Sequence, residues 1–232
     1  MREDFRIIVG MDIGLKSLIA LSTGEKYGGD VFDLAREAWN NGGSDKGLLK
    51  MVVHSKLRSV PWHRFKKIIV ENVPCDEEGW AFVVGGRGAK DAFRYPLGYV
   101  KEQVRRFAKE HDIVLVWRRP GAWSKTCPKC EEKLYDTSRT REYRCSSCGF
   151  RMDRDTFSAL RTLLFYYGIE KWVLDDVTKG YFASDEEGEE FRLRTLETLA
   201  GRPLPPEDRE ILKRGNLAYL ESHNRLREVG WL

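Results

Sequence analysis

The sequence predicts an α/β domain carrying an inserted metal-binding module, and three observations predict it. The consecutive apolar residues Ile7, Ile8 and Val9 lead into Gly10-Met11-Asp12, and a strand apolar on both faces is what the buried centre of a sheet requires. Strand-like and helix-like segments follow in the order of a layered α/β domain. Four of the five cysteines fall into two CxxC pairs, Cys127/Cys130 and Cys145/Cys148. With 232 residues, the chain is long enough for one sizeable core plus a small module.

Each element has its own signal. Residues 6–12 read as the first strand, Gly14 as a turn and 18–21 as a second strand, with Gly28-Gly29 ending a hairpin. Helices are expected over 31–39 and 46–59, around a loop at 40–43. Residues 66–70 make a short strand ending at Glu71, and Pro74 stops it. The glycine-rich stretch 79–95 reads as a loop over one edge. Leu97, Val100, Val104 and Phe107 recur at helical spacing, which predicts a helix over 97–110, and 113–117 is the next strand. The cysteine module at 124–149 is followed by an expected helix over 152–167.

An acidic linker at 185–190 and helices over 191–199 and 206–229 complete the chain. Pro206 suits a first-turn position, with Glu207 and Asp208 favourable beside the helix N-terminus. Ile211, Leu212, Leu217, Leu220 and Leu226 are expected to pack on the core, with a second copy of the chain as the alternative. The expected division is 1–122 for the first part of the core, 123–150 for the module, 151–184 for the final core helix and 185–232 for a helical extension.

Composition narrows the class. Hydrophobic residues at 41% and charged residues at 33% give an ordinary globular balance. No apolar run approaches the roughly 20 residues of a membrane span, and Met1-Arg2-Glu3-Asp4-Phe5 lacks an apolar signal region, so a cytoplasmic protein with no membrane partner is expected. The net charge of +4 is uneven. Residues 101–161 carry 15 Lys/Arg against 9 Asp/Glu, whereas 170–232 carry 10 against 14. A basic middle is compatible with nucleic acid, because phosphate neutralisation supplies most non-specific affinity, although a solvated surface gives the same count.

Without a secretion signal, paired CxxC units indicate metal before disulfides. Each CxxC turn puts two thiolates on one side of a knuckle, and two facing knuckles make the tetrahedral Cys₄ site that zinc favours. The 14 residues between Cys130 and Cys145 are the length of a short hairpin, and Gly149 fits the left-handed turn such a knuckle needs. Four protein ligands leave no open position, so this zinc is structural. Lys129, Arg139, Arg141 and Arg144 make the module basic. Cys75 has no partner in sequence and reads as a small buried residue.

Acidic residues sit where charge is costly. Asp12 ends one apolar strand, Glu71 ends another, and Asp153 and Asp155 begin the helix after the module. Such carboxylates could converge at one sheet edge, where mutual repulsion calls for divalent cations. Two cations in shared carboxylates suit phosphodiester hydrolysis. Each residue alone is more often a turn or cap. The actin-like kinases and ATPases also place an Asp-x-Gly turn after a first strand. Val84-Gly85-Gly86-Arg87-Gly88 would be their weak adenosine loop, a reading that leaves the cysteines unexplained.

Gly10-Met11-Asp12-Ile13-Gly14-Leu15-Lys16, Ile69-Val70-Glu71-Asn72-Val73, Ser124-Lys125-Thr126-Cys127-Pro128-Lys129-Cys130, and Cys145-Ser146-Ser147-Cys148-Gly149 with Asp153-Arg154-Asp155 resemble the transposon-encoded TnpB (OrfB) proteins, whose core recurs in type V CRISPR effectors. The resemblance covers residues 6–167. It implies a ribonuclease H-like (RuvC-like) fold, a mixed sheet with flanking helices and an inserted Cys₄ zinc ribbon formed by Cys127, Cys130, Cys145 and Cys148. It further implies a DNA endonuclease using magnesium or manganese, with Asp12, Glu71 and Asp155 as catalytic and metal-binding residues. Asp155 is preferred to Asp153 because the family's last aspartate precedes x-Asn-Ala-Ala, and here Asp155 precedes Thr156-Phe157-Ser158-Ala159.

The sequence departs from that pattern at Phe157 and Ser158, and the 58 residues between Asp12 and Glu71 are fewer than the family carries. A binder that keeps the fold but cuts weakly or not at all is therefore the alternative. DNA is the expected partner, with an RNA guide, a separate guide-binding protein and a homodimer as further candidates.

Overall fold

Consecutive apolar residues in the first strand are explained by two cores, one on each face of a central sheet. The computed structural model describes residues 6–14, 16–40, 46–75, 81–83, 93–119, 126–127, 130–137, 141–168, 193–194, 196–198 and 200–213. The expected acidic linker at 185–190, the glycines of 84–88 and the helix beyond Lys213 lie outside them.

The chain runs β1 (Ile7–Asp12), β2 (Ile19–Leu21), β3 (Lys26–Tyr27), α1 (Val31–Asn40), α2 (Lys46–Arg58), a 3₁₀ turn (Trp62–Arg64) and β4 (Phe65–Glu71). It continues through β5 (Ala81–Val83), β6 (Phe93–Tyr95), α3 (Leu97–Glu110), β7 (Val114–Arg118), β8 (Tyr135–Thr137), β9 (Glu142–Arg144), β10 (Arg151–Asp153) and α4 (Arg154–Tyr166). Among the residues after α4, 193–194, 196–198 and 200 are helical, and α5 (Pro206–Lys213) follows. The main sheet has the order β3-β2-β1-β4-β7. The first three strands run antiparallel, whereas β1, β4 and β7 are parallel. The result is a mixed α/β domain with a five-stranded mixed sheet.

Strand parity sorts the side chains. Ile7, Val9 and Met11 of β1 and Ile68 and Val70 of β4 enter one core with Val53 and Leu57 of α2 and Val100, Val104 and Phe107 of α3. Ile8 and Ile69 enter the other, with Leu160, Leu163 and Leu164 of α4 and apolar residues of the cysteine module. Since side chains alternate along a strand, Asp12 and Glu71 belong to the face that α4 covers.

Two segments differ from expectation. Residues 81–83 and 93–95 of the expected edge loop pair as an antiparallel hairpin. The helix expected from residue 152 starts at Arg154, because Arg151–Asp153 instead pairs with β9. Sequence periodicity could not separate Met152, which is fully buried, from the apolar positions of the helix behind it.

The described end of the chain packs on the second core through Leu193, Leu196, Leu204 and Leu212. It is also held by charge: Lys67 of β4 meets Asp208 of α5 at 2.5 Å, with side chains 5% and 1% exposed. Tyr167 donates a hydrogen bond to the other Asp208 oxygen at 3.1 Å.

Candidate functional site

The parallel pairing of β1 with β4 brings two carboxylates to one edge. Met11 is in register with Val70, and one further step sets Asp12 beside Glu71. On β7, Glu71 is in register with Arg118. The first turn of α4 supplies Asp155 on the same face, 5% exposed. Burial first, then the negative charges of Asp155 and Glu71, push the Asp12 carboxyl up from 3.8 to about 7, while Arg154 and Arg141 pull it down. The structure thus brings Glu71 and Asp155 within electrostatic reach of Asp12.

What lets α4 come this close is Gly10. A β-carbon there would lie 1.9 Å from the Ala159 carbonyl oxygen, so the helix backbone rests directly on the strand. Ser22 accepts a hydrogen bond from the Gly10 amide at 3.0 Å, which ties β2 to the same point.

Asp153 and Asp155 have separate tasks. Asp153 is the N-cap of α4, accepting from the amides of Asp155 at 3.1 Å and Thr156 at 2.9 Å, a role for which Asp is well suited. Its second oxygen pairs with Lys26 at 2.6 Å. Asp155 instead accepts from Ser17 Oγ at 3.2 Å and from Arg141 at 2.5 Å. Arg141 stands between β8 and β9 with φ 53°, and its carbonyl accepts from the Arg154 amide at 2.9 Å.

The four remaining candidates form a second centre. The sulfurs of Cys127, Cys130, Cys145 and Cys148 all lie within 4.8 Å of one another, and no disulfide joins them. Cys127 and Cys148 are 3.6 Å apart, and Cys130 and Cys145 3.4 Å. Thiolates at about 2.3 Å from a tetrahedral zinc are about 3.8 Å apart, so the cluster fits that ion closely and can hold it. Burial pushes the Cys145 thiol up, but amide donors from Cys148 and Ser147 and the neighbouring thiols outweigh it and bring it to about 7. Among the described residues, no other group of three or more His, Cys, Asp or Glu is drawn this tightly together.

The two knuckles repeat one hydrogen-bond pattern. Cys127 and Cys145 donate to the carbonyls of Glu132 and Phe150, and Glu131 and Gly149 donate back to the carbonyls of Cys127 and Cys145. The residue after each pair is left-handed, Glu131 at φ 63° and Gly149 at φ 73°. Gly149 was legible in the sequence. Glu131 was not, since this conformation disfavours a side chain. Beyond the knuckles, β8, β9 and β10 form a three-stranded sheet, one strand more than the expected hairpin.

Phe157, where the sequence departs from the resembled pattern, is fully buried. Its ring meets Tyr143 at 5.1 Å and Phe150 at 6.0 Å, both edge-on. It therefore joins the cysteine module to the helix that carries Asp155. Cys75 is half-buried against the first core and lies 3.8 Å from Lys101.

Sequence reasoning missed Ser17, Lys101 and the carboxylate contact of Arg141. Lys101 is 6% exposed and donates to Asn72 Oδ1 at 2.9 Å and to the Val73 carbonyl, fixing the chain just after Glu71. A buried lysine on an otherwise apolar helix face was the available signal for it. Ser17 and Arg141 had none, because their partner is 138 and 14 residues away.

No curated protein matches the chain. A protein-family model described as "Cas12f1-like, TNB domain" matches residues 98–161, which run from α3 through the cysteine module to Arg161 of α4. That stretch contains all four clustered cysteines, Arg141 and Asp155, and leaves Asp12 and Glu71 outside. Over residues 98–161 the chain is thus similar to the TNB domain of Cas12f1-like proteins.

Proposed function

We propose that the chain is a divalent-metal-dependent DNA endonuclease with a ribonuclease H-like, RuvC-type core, in which Asp12, Glu71 and Asp155 carry catalysis. One observation carries the reading: β1, β4 and α4 bring Asp12, Glu71 and Asp155 to one sheet edge, where burial first, and then the charges of Asp155 and Glu71, raise the Asp12 carboxyl to about 7. Carboxylates that repel one another in a partly buried site gain most from a bound cation. Magnesium or manganese held there would supply an activated water and stabilise the leaving oxygen.

The chain's own residues set up that chemistry. Gly10 admits α4 and so places Asp155. Ser17 and Arg141 orient the Asp155 carboxylate, and Arg141 and Arg154 add cationic charge beside a cluster that must receive a phosphodiester. Asp153, engaged as a cap and by Lys26, contributes to position and not to the cluster. The zinc-type ribbon holds the helix through Phe157.

Support comes from the family likeness over residues 98–161 and from the order of the three acidic motifs. The alternative, a nucleic-acid binder that cuts weakly, is favoured by one contact: Arg141 occupies a carboxylate oxygen of Asp155 at 2.5 Å. A cleavage assay on single-stranded, duplex and branched DNA with magnesium or manganese decides between them. Cleavage lost in Asp12→Asn is the expected result, and equal cleavage by both proteins would overturn it. Retained DNA binding with no cleavage by the wild type favours the binder.

A further inference from the structure

The imidazoles of this chain are unevenly placed. Of its four histidines, three, from three different segments, line one pocket of about 300 Å³. His54 comes from α2, His63 from the 3₁₀ turn and His111 from the C-cap of α3. Arg58 and Arg106 share the lining, and Glu110, the one carboxylate among the described lining residues, is engaged by Arg106 at 2.7 Å. Trp62 and Phe107 form a rigid base, stacked at 5.2 Å with an interplanar angle of 6°.

The donors that an anion would meet come first from the arginines. His54 is held in place by a 2.9 Å hydrogen bond between its Nδ1 and Gln103 Oε1. Arg58 presents a guanidinium fork suited to phosphate oxygens. Lys50, four residues before His54, adds positive charge on the same side of α2, whereas Lys56 is paired with Asp30 at 2.7 Å. A volume of this order is the lower end of small-ligand sites and admits one phosphate with its sugar.

The pocket is separate from the carboxylate edge. His63 precedes β4 and Glu71 ends it, so the strand alone puts about 20 Å between the two. The pocket residues also belong to the face covered by α2 and α3, opposite α4.

We propose that this pocket is a second nucleic-acid contact, which takes a phosphate of the strand and anchors it away from the carboxylate edge. The choice of nucleic acid as the source rests on the function proposed above; the anion chemistry does not.

The test is binding, read without cleavage. Full-length Asp12→Asn protein is titrated against a fluorescein-labelled 12-nucleotide single strand, with and without a 5′-phosphate, over a range of salt. Adding Arg58→Gln with His63→Gln is expected to weaken binding at least tenfold and to lower the salt slope by about one, with an unchanged melting temperature. Inorganic phosphate is expected to compete in the parent and not in the triple variant. A 5′-phosphate preference that disappears in the variant identifies a strand end, and equal binding of both oligonucleotides identifies a backbone phosphate. Unchanged affinity and salt slope in the variant would overturn the proposal, as would inorganic phosphate binding that the variant weakens while oligonucleotide binding stays the same. Because no step requires cleavage, a wild type that cuts nothing would overturn the nuclease reading and leave this one standing.

Discussion

The Gly10 backbone lies against the carbonyl of Ala159 so closely that a β-carbon on Gly10 would stand 1.9 Å from that oxygen. The contact crosses β1 and α4, the elements that carry Asp12 and Asp155, two residues after Gly10 and four before Ala159. It therefore fixes the spacing of the two carboxylates as well as the packing of the domain.

Gly10→Ala should accordingly fail twice. The obstructing atom is backbone, so the helix itself must shift, and overpacking of this kind typically costs about 1–3 kcal/mol or more. Urea unfolding should show a loss of at least about 2 kcal/mol, and cleavage should fall in whatever fraction stays folded. An unchanged midpoint would show that α4 has room to spare.

Asp12 gives a pH signature. Its folded carboxyl titrates at about 7 against an ordinary 3.8, so ionising it opposes folding. The penalty is absent below about pH 4, grows as pH rises and is complete above about pH 7, reaching at most about 4 kcal/mol at 1.36 kcal/mol per unit. Asp12→Asn should melt higher than wild type at pH 8 in magnesium-free buffer and together with it at pH 4. Adding magnesium at pH 8 should narrow the gap by stabilising wild type alone.

The pair Lys67–Asp208 should behave as a buried ion pair. Removing one charge strands the other, at about 3–5 kcal/mol, so Asp208→Asn or Lys67→Met should each destabilise strongly. The double change Lys67→Met with Asp208→Leu should recover most of the loss. Thermal melts of the three variants check this, and additive losses in the double variant would rule out direct coupling.

Phe157→Ala should cost about 3–5 kcal/mol by leaving a cavity at the seam of module and helix. Stripping zinc should unfold the module and remove the same seam, so cleavage should be lost although the thiolates lie outside the carboxylate cluster. Restoring zinc, and not magnesium, should recover near-ultraviolet circular dichroism and activity together.

Lys101→Met should loosen the chain after Glu71. The expected readout is an increase of about tenfold in the magnesium needed for half-maximal cleavage, the lower end of what supporting residues contribute at metal sites, with little change in DNA affinity. Unchanged magnesium dependence would make Lys101 a packing residue only.

The sequence by itself determined the central strands, the helix from Leu97 to Glu110, the cysteine quartet and the three acidic positions. Those signals are local: an apolar run, a helical spacing, two residues between cysteines, a charge at the end of a strand. The resemblance preferred Asp155 to Asp153, but only the tertiary structure showed that Asp153 caps the helix while Asp155 acts on the Asp12 carboxyl, because both are aspartates at a helix start and differ only in what lies across from them. Ser17, Arg141, Lys101 and the close contact at Gly10 were hidden for the same reason. The strand pairing of 151–153 escaped periodicity because Met152 is apolar in either conformation. What a residue can do is set by its chemistry, and which of those things it does is set by partners that chain order does not place beside it.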